Sequence, residues 1–281
     1  MSPVPASAAA RVRFDSVEKS FAGASRSEGE RRVLRDVTLD VAPGEVIAIL
    51  GTSGCGKSTL LRIVGGLDGA TGGAVRLDEQ SIVGIDERTA IGFQEPRLLP
   101  WRTVTQNVAL GLPQGTPAAA GRERVARLIS LVGLEDFADH RPREISGGMA
   151  QRTSLARALA RTPGVLLLDE PFGALDALTK LRMQDLLLSI HEAEPATILL
   201  VTHDVDEALQ LADRVIVLGH EEGISGATII EELTVPGTRP RDRGSAELAE
   251  LRGRLLSGLG IDRHGSARGI ETEPGIPIFP Y

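Results

Sequence analysis

Short, unbroken apolar runs recur along the chain and alternate with longer stretches of helical spacing. Val46-Ile-Ala-Ile-Leu50, Val165–Leu168, Ile198–Val201 and Val215–Leu218 have the length and apolar continuity of strands buried on both faces. Lys57–Val64 reads as a helix that Gly65-Gly66 stops. Leu-rich Asp176–Ala193 and the shorter Asp204–Leu211 read as further helices. This alternation predicts an α/β fold with a parallel sheet covered on both sides. The N-terminal part differs. Val12–Val17 and Val33–Val41 predict strands of an antiparallel layer, connected through the polar stretch Ala22–Arg32. Residues 96–163 are mainly helical, with a break at Pro113–Pro117. Beyond Pro236 the chain turns rich in Pro and Arg, then offers one amphipathic helix with Leu248, Leu251, Leu255 and Leu259 on one face. Residues 262–281 hold Gly, Pro and charge without periodicity and are expected to be poorly ordered. There is no internal repeat.

Composition narrows the function classes. The 281 residues include 31 Lys+Arg and 38 Asp+Glu, a formal net charge of −7, and no basic block, which disfavours nucleic acid as a partner. No apolar run approaches the roughly 18–20 residues that span a bilayer. The N-terminal MSPVPASAAA lacks a basic start and an apolar stretch, so it is not expected to be a secretory signal. The single cysteine, Cys55, excludes an internal disulfide framework and a Cys-based zinc site. Lysine is scarce, limited to Lys19, Lys57 and Lys180, so a lysine inside a Gly-rich stretch stands out.

That stretch is Gly51-Thr52-Ser53-Gly54-Cys55-Gly56-Lys57-Ser58-Thr59, which fits G-x-x-x-x-G-K-[ST] between a strand and a helix. Its glycines let the backbone wrap a phosphate chain with N–H groups pointing inward, and the helix adds the positive end of its dipole. In this reading Lys57 reaches the β- and γ-phosphates and Ser58 holds Mg²⁺. Asp169 ends a second buried strand, where an acid can order the Mg²⁺ hydration shell, and Glu170 follows, placed to polarise an attacking water. Cys55 is either a small residue that fits the loop or a thiol made reactive by the helix N-terminus. The second reading predicts that alkylation inhibits hydrolysis and that nucleotide protects.

Further motifs follow in order: Phe21, Ile91-Gly-Phe-Gln94, Ile145-Ser146-Gly147-Gly148-Met149-Ala-Gln151-Arg152, Asp169-Glu170 with Gly173-Ala-Leu-Asp176, and Val201-Thr202-His203-Asp204. With the phosphate loop, these make the chain resemble the ATP-binding subunits of ABC transporters from about Arg11 to Leu218. The resemblance implies a P-loop NTPase core with an antiparallel β layer and a helical insert. It implies an ATPase domain over residues 11–235, a helical subdomain over about 96–163, and a C-terminal tail over 236–281. It assigns Phe21 to adenine stacking, Gln94 to catalysis and the metal, and His203 to the γ-phosphate beside Glu170. Asp176 lies on the D-loop. Ser146, Gly147 and Gly148 are implied to bind the γ-phosphate held by a second copy, so that ATP joins a head-to-tail homodimer. Taken alone, Ser146 is equally the cap of an ordinary helix, and Phe21 equally a core aromatic.

Two segments narrow the resemblance. Gln94-Glu-Pro-Arg-Leu98-Leu99-Pro100-Trp101 with Thr103–Val108, and Asp169–Thr179, resemble the nitrate/sulfonate/taurine import group. Leu181–Leu188 and Thr238–Arg243 look most like aliphatic-sulfonate importers. The family pattern is departed from at Ile145 and Ala150, and Gly219–Glu232 matches less well. The resemblance implies hydrolysis of ATP with Mg²⁺ at the cytoplasmic face of a bacterial membrane. Partners are two permease subunits and an extracytoplasmic solute-binding protein. Alternatives are a nitrate or taurine importer of the same group, or an ABC ATPase acting in assembly rather than transport. Trp101 is expected either to contact the permease or to pack inside the helical subdomain.

Overall fold

The computed structural model describes residues 9–22 and 30–260. The strands are β1 (Val12–Phe21), β2 (Arg31–Val41), β3 (Val46–Leu50), β4 (Gly72–Leu77), β5 (Gln80–Ser81) and β6 (Thr89–Gly92), then β7 (Val165–Asp169), β8 (Thr197–Val201), β9 (Arg214–His220) and β10 (Ala227–Thr234). The helices are α1 (Lys57–Val64), α2 (Val104–Ala109), α3 (Ala118–Leu131), α4 (Gly147–Ala160), α5 (Ala177–Ala193), α6 (Val205–Leu211) and α7 (Ala246–Gly258).

The strands form one ten-stranded sheet in the order β5-β4-β1-β2-β10-β9-β3-β8-β7-β6. From β9 to β6 the neighbours are parallel, while β1 runs antiparallel to β2 and β4. The expected antiparallel layer is therefore present, but continuous with the parallel half. The link is β10, antiparallel to β9 and in register with β2 at Ala227–Leu34.

The apolar continuity of the parallel strands follows from their two covers. Alternate residues Val46, Ala48, Leu50, Leu166, Leu168, Ile198 and Leu200 face a core built with α2 to α7. The residues between them, Ile47, Ile49, Val165, Leu167, Leu199 and Val201, share a second core with α1 and with Val12, Phe14, Val17, Leu34 and Val37 of β1 and β2. The antiparallel half thus curls over α1 and buries it. Each fully buried side chain of this kind contributes about 1.5–3 kcal/mol.

Helix α2 begins in a capping box. Thr103 Oγ1 accepts from the Gln106 N–H at 3.2 Å, and Gln106 Oε1 accepts from the Thr103 N–H at 3.1 Å. Pro113 and Pro117 separate α2 from α3, as expected. Helix α4 lies between the insert and the sheet, and its Leu155 and Leu159 join residues of both in one core. In α7, Leu248 and Leu255 are buried and Leu251 and Leu259 partly so, matching the predicted apolar face. The expectation of poor order over 262–281 lies outside the described residues.

Candidate nucleotide site

The carboxyl ends of four adjacent parallel strands, in the order β3-β8-β7-β6, carry in turn the Gly-rich loop, His203, Asp169-Glu170 and Gln94. Ligands of open α/β sheets bind at this edge.

The loop leaves β3 at Gly51 and re-enters regular structure at Lys57. Gly56, at φ 99°, is the N-cap of α1 and offers no side chain to the first N–H groups of the helix. A side chain there would also stand 2.7 Å from Leu34 Cδ2. The helix start is therefore left open to an anion. The Lys57 ammonium is folded over the loop, donating to the carbonyls of Gly51 at 2.8 Å and Thr52 at 3.0 Å. It stands where a phosphate entering the loop would meet it.

Ser58, one residue into α1, donates to Asp169 Oδ1 at 3.0 Å. Adjacent ligands of an octahedral Mg²⁺ stand about 2.9 Å apart, given metal–oxygen distances of about 2.0–2.1 Å, so this hard-oxygen pair fits one edge of such a shell. The described residues hold no cluster of three or more His, Cys, Asp or Glu suited to a metal. Burial pushes the Asp169 carboxyl above the usual carboxylate range and the neighbouring Glu170 adds to this, while the Ser58 hydrogen bond and the Lys57 charge oppose it. A cation at this position would favour the ionised form.

Glu170 has φ 47°, a left-handed conformation unusual for a residue with a side chain. Two backbone bonds hold it there: its N–H donates to Val201 O at 2.9 Å, and its carbonyl accepts from the Gly173 N–H at 3.1 Å. Its Oε2 lies 3.3 Å from His203 Nδ1. A Cβ built on Gly173 would stand 3.4 Å from the Gln94 amide nitrogen and 3.6 Å from Glu170 Oε2, so Gln94 and Glu170 converge at that glycine. Glu170, His203 and Gln94, predicted from separate parts of the chain, therefore meet at one edge beside Asp169.

Ser146, Gly147, Gly148 and Asp176 stand elsewhere. Ser146 caps α4, its Oγ accepting from the Met149 N–H at 3.3 Å. A Cβ on Gly148 would lie 2.7 Å from Thr179 Cγ2, which places the start of α4 against the start of α5. Asp176 caps α5, accepting from the Thr179 N–H at 3.0 Å, and hydrogen bonds from Thr179 hold its carboxyl below the usual range. Among the described residues no hydrogen bond joins Ser146, Gly147 or Gly148, at the start of α4, to the loop Gly51–Thr59.

Phe21, at the end of β1, is exposed, with the Lys19 ammonium 4.7 Å from its ring centre. It is not a core aromatic. Trp101 is 67% exposed, which overturns packing inside the helical subdomain. Its loop is nevertheless held from beneath by fully buried Asn107. The Asn107 carboxamide accepts from the Leu99 N–H at 2.8 Å and donates to the carbonyls of Leu99, Arg102 and Thr103. Of the two readings of Cys55, the geometry favours the small residue that fits the loop over the reactive thiol. The side chain is 1% exposed, and burial pushes its thiol above its ordinary range against the opposing charge of Lys57. Desolvation outweighs the helix N-terminus here, so Cys55 fills space beneath Gly51.

Sequence reasoning missed the ties between α4 and the segment after β6. Gln151 donates to the Phe93 carbonyl at 3.2 Å, and Arg157 to the carbonyls of Pro96 and Arg97 at 2.7 and 2.9 Å. It also missed Lys180, whose ammonium pairs with Asp204 and Glu207 beside His203. The scarcity of lysine was the one available signal.

The family model described as ABC transporter matches residues 34–173. The aliphatic sulfonates import ATP-binding protein SsuB 1 of Xanthomonas axonopodis pv. citri is 48% identical over 240 residues, 84% of this chain and 94% of that protein. SsuB 2 of Paracoccus denitrificans is 49% identical over 245 residues, 87% of this chain and 92% of that protein. Among solved structures, the dimeric ATP-binding cassette MJ0796 bound to ADP and Pi superposes with a TM-score of 0.67 at 33% identity, covering 81% of this chain and all of that one.

Proposed function

The chain belongs to the ABC transporter family, and from that premise we propose that it is the ATP-hydrolysing subunit of an importer for aliphatic sulfonates. The convergence of Lys57, Ser58, Asp169, Glu170, His203 and Gln94 at one sheet edge is the observation that carries the catalytic part. The substrate rests on relatives named for aliphatic sulfonate import that span nearly the same length. These names favour sulfonate over nitrate or taurine, and import over an assembly role.

In this reading the residues take the roles that the family resemblance implies. The backbone of Gly51–Thr59, including Thr52, Ser53, Gly54 and Cys55, wraps the phosphates, Lys57 neutralises the β- and γ-groups, and Phe21 stacks on the base. Ser58, Asp169 and Gln94 would hold Mg²⁺, which would supply charge neutralisation on the phosphate oxygens. Glu170 accepts the proton of the attacking water as the new P–O bond forms and the bond to ADP breaks. A positioned base of this kind contributes about 10²–10⁴ in rate. His203 orients the Glu170 carboxylate and faces the γ-phosphate.

Ser146, Gly147, Gly148 and Asp176 complete the site of a second copy, so two ATP molecules join a head-to-tail homodimer. The dimeric ATP-binding cassette that superposes on this chain supports this. No helix among the described residues is long and apolar enough to cross a membrane. The chain would sit peripherally on the cytoplasmic face, on two permease subunits fed by an extracytoplasmic binding protein, with Trp101 at the permease contact. Residues 11–235 form the ATPase domain, about 96–163 its helical subdomain and 236–281 the tail.

The test is uptake of a labelled alkanesulfonate into vesicles holding the permease pair, with binding protein outside and this chain with ATP inside. ATP-dependent sulfonate uptake is expected. Uptake of nitrate or taurine in place of sulfonate would reassign the substrate, and ATPase activity indifferent to permease and solute would remove the importer reading.

A further inference from the structure

Behind His203 lies a charged cluster that nucleotide binding does not use. Lys180, in the first turn of α5, places its ammonium 2.7 Å from Asp204 Oδ2 and 2.9 Å from Glu207 Oε2. Both acids belong to the turn that carries His203. Asp204 follows it directly and caps α6, its Oδ1 accepting from the Glu207 N–H at 3.1 Å. The Asp204 N–H in turn donates to Thr202 Oγ1 at 3.0 Å. Residues on both sides of His203 are therefore bonded to one another, and the whole turn is tied to α5 through Lys180.

Helices α5 and α6 contribute to one apolar core. Beside them a hollow of about 440 Å³ opens among α5, α6 and α7, lined in part by Leu181, Gln184, Gln210 and Leu248. Lys180, Asp204 and Glu207 lie on its wall, and the ion pairs bridge the gap. The Glu207 side chain is 2% exposed. A buried ion pair is a weak source of net stability, since desolvation offsets much of the attraction, but it fixes relative orientation firmly.

We propose that Lys180 is a positioning residue for hydrolysis, locking the turn that bears His203 to the helix that starts at Asp176 so that the imidazole stays on Glu170. The proposal rests on the reading of His203 and Glu170 given above. Burial pushes the Glu207 carboxyl up, while the hydrogen bond and charge of Lys180 oppose it, so removing the ammonium loosens the turn and leaves a buried acid without its cation. Lys180 touches no phosphate in this scheme. Its loss should slow the chemical step without weakening nucleotide binding.

The experiment compares steady-state ATPase kinetics and separately measured ATP affinity for the full chain carrying Lys180→Met, Lys180→Arg, His203→Ala, and Lys180→Met with His203→Ala. Lys180→Met should lower kcat about tenfold or more with KM for ATP nearly unchanged, the behaviour of a displaced catalytic group. Lys180→Arg should restore most of the rate. In the His203→Ala background, Lys180→Met should cost nothing further. A rise in KM matching the fall in kcat, or an undiminished loss in the His203→Ala background, overturns the proposal and leaves the site reading standing. If His203→Ala itself keeps the wild-type rate, the site reading falls and the proposal falls with it. Should Lys180→Met fail to fold, Lys180→Met with Glu207→Met removes both members of the pair and carries the same readouts.

Discussion

Glu170 combines an unfavourable backbone conformation with the central catalytic assignment, and the two are separable by substitution. At φ 47° a side chain crowds its own backbone, at about 1–2 kcal/mol for a residue in the left-handed region. Alanine at this position keeps the Cβ and therefore the crowding. Glycine removes it. Both substitutions delete the carboxylate and its contact with His203, so those effects cancel in the comparison. At an ordinary position glycine is about 0.5–1 kcal/mol less stable than alanine, because its unfolded chain is freer. Subtracting that from the relieved crowding leaves Glu170→Gly more stable than Glu170→Ala by roughly 0.75 kcal/mol at mid-range values, a reversal of the usual order. Urea denaturation of the two proteins without nucleotide reads this difference, and thermal melting should show it as roughly 1.5–3 °C. Neither variant should release phosphate. An alanine variant as stable as the glycine one, or more so, would refute the claim that backbone strain is held at the catalytic carboxylate.

Four further outcomes are expected. Native Cys55 should react with a thiol reagent far more slowly than in the urea-unfolded chain, because it is buried and its thiol is raised; equal rates would return it to the reactive class. Asp169→Asn should raise stability at neutral pH without Mg²⁺, and the gain should shrink as pH falls. The reason is that a folded-state carboxyl held above its unfolded value binds more protons than the unfolded chain, so wild-type stability declines as pH rises through that window. A gain independent of pH would point to packing instead. Asn107→Ala should destabilise by about 2–3 kcal/mol by leaving buried backbone groups of Leu99–Thr103 unpaired, whereas Trp101→Ala should leave stability and ATP affinity nearly unchanged while weakening permease association. If Trp101→Ala instead lowers stability like Asn107→Ala, the exposed-loop assignment is wrong.

The parallel half of the fold was legible because β3, β7, β8 and β9 are covered on both faces and so show as unbroken apolar runs. The positions of the Gly-rich loop, Asp169 and Glu170 were legible because each sits at the end of an apolar run, whereas His203 stood out only through the family motif around it. Strand β10 was not recognised, since Ile229 and Ile230 are only partly covered and the run is broken by Glu231 and Glu232. The conformation of Glu170 depends on bonds to Val201 and Gly173, and the Lys180 cluster on residues 24 and 27 positions away, none of which leaves a local pattern. For Cys55 the sequence left two readings open, because the helix dipole is a local feature whereas burial is set by the covering strands.

The central claim is that one chain binds ATP at the loop Gly51–Thr59 and that Glu170 makes it hydrolyse. The most direct measurement is phosphate release by Glu170→Gln beside wild type, with ATP affinity and dimer content followed on the same samples by equilibrium binding and sedimentation. The account predicts unchanged affinity, hydrolysis reduced by about 10² or more, and a dimer that persists while ATP is present. Wild-type turnover by Glu170→Gln would contradict it.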